Sequence, residues 1–144
     1  MGSIRTFFVA VACIFVSIFA FERFVNAQTP TSVDVWPLCA LNSAYLDETF
    51  LKYDLTERVM IISSLGRKER DKSLATKRGE VARKYFVNGF TDDRRRVADK
   101  VIVANSVDKA EKGRLDFYIK GELVFTFVFR RNQTFTLRPS CYSD

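Results

Sequence analysis

The chain contains no histidine. That removes the side chain whose ordinary pKa lies near neutrality, and with it histidine acid–base catalysis, histidine triads and the commonest metal ligand. Acids stand in pairs at Asp47-Glu48 in "LDETF" and Asp92-Asp93 in "TDDRR". The first pair reads as charges near a helix N-terminus and the second as a solvated turn, so no catalytic carboxylate pair is expected. No glycine-rich phosphate loop, zinc-spaced cysteines or CxxC motif occurs, and no enzymatic activity, metal or cofactor is expected. What remains is one arginine. Arg78 lies four residues after Leu74 in "SLATKRGEVARKYFVNGF" (73–90). As a structural residue it would pair with Glu80, Asp71 or an acid on a neighbouring strand.

The segment before this region looks like an export signal. Arg5 supplies a positive start, Phe7–Phe21 is an apolar run of fifteen residues, and Val25-Asn26-Ala27 ends it with small residues. The run is shorter than the ~20 residues a membrane-spanning helix needs. Residues 1–27 are therefore expected to be removed, with no stable membrane span afterwards. Retention as an anchor is the alternative, because Glu22 and Arg23 interrupt the approach to the cut. No cysteine follows the cut, which argues against a lipid anchor. Of the 144 residues, 117 then remain, holding 21 of the 23 basic and 16 of the 17 acidic residues, a charge of +5. Such a charge suits an anionic partner and is also ordinary for an exported protein. Cys13 leaves with the signal, and Cys39 and Cys141 remain. In an oxidising compartment they are expected to form a disulfide, the alternative being two unrelated thiols.

The elements follow from periodicity. "QTPTSVDV" (28–35) is polar and proline-bearing, so residues 28–38 read as a linker or loosely tied arm before a domain at 39–144. Leu41, Tyr45, Leu46, Phe50 and Tyr53 recur at helical spacing, predicting a first helix over 42–54 capped by Asn42 or Ser43. "RVMIISS" (58–64) is a compact apolar run of strand length. The charged loop "GRKERDK" precedes a second helix over 72–88, with Leu74, Arg78, Val81, Ala82, Tyr85 and Phe86 on one face and Gly89 as its stop. Val97, Val101 and Val103 mark the next strand after the turn "TDDRRR". "GRLDFYIK" (113–120) alternates with period two, Gly121-Glu122 turns the chain, and "LVFTFVF" (123–129) returns. "TFTLR" (134–138) reads as a final short strand. The order predicts an α+β fold, a two-layer sandwich with helices on one face of a sheet. "GRKERDK" and "DDRRR" read as solvated loops, or as a basic patch touching polyanionic envelope material. "NQT" (132–134) is a glycosylation sequon that matters only in a eukaryotic secretory host.

This order and its motifs resemble the OmpA-like periplasmic domain family. "VMIISS" fits that family's strand before the site. "LATKRG" (74–79) fits its Leu-Ser-x-x-Arg-Ala, "KYFVNGF" (84–90) its helix end, and "RRRV" (94–97) the approach to its next strand. "GRLDFYIKGELVF" (113–125) is similar to the arginine-led last strand of divergent members. The resemblance covers about Ala40 to Phe129. It implies a βαβαβ-type sandwich with a mixed sheet, in the periplasm or at the outer membrane of a Gram-negative-type envelope. It also implies non-covalent binding to the peptidoglycan stem peptide, in which an aspartate and the helix arginine hold the diaminopimelate amine and carboxylate. Arg78 matches that arginine. Leu65 stands at the place of the aspartate, where it cannot counter an ammonium, and Glu69 or Asp71 are the loop acids available to substitute. The expected function is a non-enzymatic envelope-binding module contacting peptidoglycan through 65–72. The alternative is a scaffold that keeps the fold and acts on envelope proteins. Nucleic acid is not an expected partner.

Overall fold

The computed structural model describes residues 30–89, 96, 98–138 and 141. The expected signal segment, most of "TDDRRR" and Val97 lie outside the described residues. The elements are β1 (Thr31–Asp34), α1 (Cys39–Phe50), β2 (Val59–Ser64), α2 (Ser73–Lys84), β3 (Val101–Asn105), β4 (Gly113–Ile119) and β5 (Glu122–Phe129). They form the expected α+β fold, in which one five-stranded mixed sheet has the order β1-β5-β4-β2-β3. β2 and β3 run parallel, joined by α2, as do β1 and β5, while β4 is antiparallel to both β2 and β5.

Period-two alternation decides which face is buried. Val59 and Ile61 of β2, Leu115, Phe117 and Ile119 of β4, and Phe125, Phe127 and Phe129 of β5 all point into one core. Leu46 and Phe50 of α1 and Ala82, Tyr85 and Phe86 at the end of α2 close it from the helical side. Phe117 is the hub: its ring lies 5.9 Å from Phe50, 6.0 Å from Phe86 and 5.8 Å from Phe125, all tilted or edge-on. Each such aromatic pair adds about 0.5–1.5 kcal/mol beyond the area it buries. α2 lies close against β3, because a Cβ on Gly79 would stand 2.6 Å from Cγ1 of Val103.

Five expected elements differ. The strand marked by Val97, Val101 and Val103 is β3 from Val101 only, because Ala98–Lys100 form a 3-10 turn before it. The N-terminal arm contains β1, held by Thr31–Asp34 pairing with Phe125–Val128, so the segment is an edge strand rather than a loose tether. α1 starts at Cys39, three residues early, and ends at Phe50. Asn42 is not its cap but reaches back over the first turn, accepting from Trp36 N–H at 3.0 Å and donating to Trp36 O at 2.9 Å. α2 ends at Lys84 and widens into a π-helical turn over Tyr85–Gly89. An α-helix rotates neighbours by ~100°, and the wider turn accompanies a Tyr85 and Phe86 that are both fully buried. Finally, "TFTLR" keeps its alternation, with Phe135 and Leu137 buried, but forms no strand. It docks by side chains on Phe127 and Phe129 and by Arg138 N–H on Ser43 Oγ.

The expected disulfide is present: Cys39 and Cys141 are joined with their Cα atoms 5.6 Å apart. Arg96, the last arginine of "RRR", is buried and pins the loop after α1 by donating to the carbonyls of Asp54, Leu55 and Glu57. Burial disfavours its cation and lowers its pKa, against the pull of Glu57 and Asp54.

Candidate functional site

The site implied by Arg78 is built from the loop after β2, the first turns of α2 and the chain leaving β5. Gly66 to Glu69 close a tight turn, with Glu69 N–H donating to Gly66 O at 2.9 Å. The Glu69 side chain folds back into that turn and accepts Gly66 N–H at 2.8 Å. α2 then brings Arg78 over the same carboxylate. Nη1 donates to Oε2 at 2.9 Å and Nη2 to Oε1 at 2.6 Å, a bidentate pair. Asn132 N–H adds a further donor to Oε1 at 3.0 Å.

The rest of the guanidinium is also engaged. Nε and Nη2 donate to Gln133 O at 3.1 and 2.7 Å, and the guanidinium carbon lies 4.1 Å from the centre of the Phe129 ring. Arg78 is 1% exposed and Glu69 2%. Burial by itself would raise the Glu69 pKa. The hydrogen bond from Arg78, the Gly66 N–H, the Arg78 charge and the Asn132 N–H outweigh it and hold the carboxyl below its ordinary value.

Gly113 forms the wall beneath the pair. A Cβ there would sit 2.5 Å from Nη1 of Arg78 and 2.7 Å from Oε2 of Glu69. Gly113→Ala is therefore expected to lower stability by about 1–3 kcal/mol, the usual range for overpacking a filled interior. Urea unfolding checks this, and an unchanged midpoint would show that the pair has room to move.

The other expected site residues lie apart from this pair. Leu65 is a half-buried apolar residue at the end of β2, and its carbonyl accepts Ala110 N–H at 2.9 Å. Asp71 is exposed and accepts Ser73 N–H at 2.9 Å, which fixes the start of α2, and the Ser73 hydroxyl, then that N–H, lower its pKa. Neither pairs with Arg78, and Glu80 is exposed on the far side of the helix. Asp47 and Glu48 lie well inside α1 rather than near its start. Asp47 accepts from the Tyr85 hydroxyl and is ion-paired with Arg138. Burial, then Asp47, push the Tyr85 pKa far above its ordinary value. Asp92 and Asp93 lie outside the described residues.

Around the closed pair the surface is open and basic. One cleft of about 370 Å³ is lined by Asp34, Lys68, Glu69, Glu111, Lys112, Arg130 and Arg131, among others. A second of about 360 Å³ is lined by Lys68, Arg70, Asp71, Leu74, Arg131 and Asn132. Among the described residues no group of three or more His, Cys, Asp or Glu could hold a metal ion, and no helix is long and apolar enough to cross a membrane. No protein-family model, curated protein or solved structure matches the chain.

Proposed function

We propose that the chain is a non-enzymatic binding module of the cell envelope, OmpA-like in its order of elements, that meets its partner through the loop end of the sheet rather than through Arg78. The observation that carries this reading is the bidentate, nearly fully buried Arg78–Glu69 pair. A guanidinium that already makes four hydrogen bonds inside the fold has no bidentate face left for a ligand carboxylate. Glu69 substitutes for the missing acid only as an internal counter-ion. The exposed cations on the neighbouring loops are what a partner can touch. The apolar N-terminal run and the Cys39–Cys141 disulfide support export.

The test is sedimentation of residues 28–144 with insoluble diaminopimelate-type peptidoglycan. The protein is expected to pellet, and Lys68→Glu/Arg70→Glu, at unchanged stability, is expected to stay in the supernatant. Equal pelleting of both would remove the loop from the account.

A second reading, protein–protein contact, is favoured by the sheet face turned away from the helices. There Met60 stands between Ile102 and Tyr118 in register, Ile62 lies beside Ala104, and Ile102 is 45% exposed. Failure of the wild type to pellet would move the contact surface to this face.

A further inference from the structure

The strand directions gather three loops at one end of the molecule. β2 and β3 run parallel and end at Ser64 and Asn105, β4 starts there at Gly113, and β5 ends there at Phe129. The loops 65–72, 106–112 and 130–133 hold eight exposed Lys and Arg against three exposed acids, Asp71, Asp108 and Glu111. Glu69 does not count among the acids, because Arg78 neutralises it inside. The excess on these loops is as large as that of the whole chain after residue 27.

These cations are ordered by shape. The two clefts share Lys68 and Arg131. From that junction the first cleft continues to Arg130 and Lys112, and the second to Arg70. Asp34 and Glu111 interrupt the first cleft, which Glu69, held by Arg78, also lines, and Asp71 interrupts the second. Acids at intervals disfavour one dense anion and favour charges spaced along a chain. Lysine offers a compact point charge and arginine a fork, and phosphate oxygens accept both.

We infer that this end of the molecule binds an extended polyanion carrying repeated phosphate groups, laid across both clefts and gripped at their junction by Lys68 and Arg131. The inference rests on the loop-end reading above and names its ligand chemistry.

Long-chain inorganic polyphosphate is the probe, with poly-L-glutamate, phosphatidylglycerol vesicles and inorganic phosphate as parallel arms. Polyphosphate is expected to bind with an affinity that falls linearly with salt on logarithmic axes. Lys68→Ala/Arg131→Ala is expected to weaken it about tenfold and to make the slope shallower by about two, one per lost contact. Lys84→Ala, which removes an exposed charge at the other end of α2, is expected to change neither. Equal weakening by Lys84→Ala, or tighter binding to polyglutamate, vesicles or monomeric phosphate, would overturn the inference. If polyphosphate does not bind but the Lys68/Arg131 variant still loses peptidoglycan, only this inference falls. If the variant retains both ligands, the loop-end reading falls with it.

Discussion

Arg78→Ala is expected to destabilise the protein by about 3–5 kcal/mol, the cost of leaving a buried carboxylate without its partner. The same change at an exposed ligand arginine would fall within about 0.5 kcal/mol. Glu69→Ala should cost as much or more, because it strands a buried guanidinium and frees the Gly66 and Asn132 N–H groups together. A pH dependence accompanies the pair. The Glu69 carboxyl is held below its ordinary value in the fold. Its contribution is therefore present above the unfolded carboxyl pKa and is lost as pH falls through the lower, folded value. Urea unfolding at neutral and acid pH checks both parts. The gap between wild type and Glu69→Ala should narrow in acid.

Loss of the disulfide is the second large effect. Cys39 and Cys141 are 102 residues apart in sequence, and closing a loop of that length restricts the unfolded chain by about 4–5 kcal/mol. The native side has its own stake. Cys39 opens α1, and Cys141 ends a segment held on the core by Phe135 and Leu137 and on α1 through Arg138. Cys39→Ser/Cys141→Ser is expected to lose about 4 kcal/mol in urea unfolding. Amide exchange should rise first at residues 134–138, which have no strand ladder to protect them. A loss below about 1 kcal/mol would mean that side-chain docking alone holds the C-terminus.

What was legible in the sequence followed from alternation and apolar faces. Leu115, Phe117 and Ile119 alternate in the chain and are buried in the fold, and β2, β4 and β5 stand where their patterns put them, while β3 begins only at Val101. What was not legible needed knowledge of the partner. Phe135 and Leu137 show the same alternation as a strand, yet pattern reports which side chains are buried and not whether the backbone finds a ladder. β1 is short, polar and proline-led, and only its pairing with β5 makes it a strand.

The same limit governs the candidate site. Arg78 is visible as the residue that bears chemistry and Glu69 as a loop acid that could stand beside it, but Glu69 is not legible as its closed internal partner, because it lies nine positions upstream across a loop. Glu80, two positions on, cannot face Arg78 on a helix, and Asp71 is taken by the start of α2. The signal available was the spacing of Gly66 and Glu69, a turn in which the acid folds inward beside the helix that follows.

The central claim is that Arg78 serves the fold and not a ligand. A double-mutant cycle of Arg78→Met, Glu69→Met and the double variant in urea unfolding tests it most directly. The two singles are expected to be strongly destabilised and the double, an apolar replacement of the whole pair, to recover much of the loss, giving a coupling of at least about 2 kcal/mol. A coupling near zero, with Arg78→Met as stable as wild type, would contradict it and return Arg78 to the surface as a candidate ligand arginine.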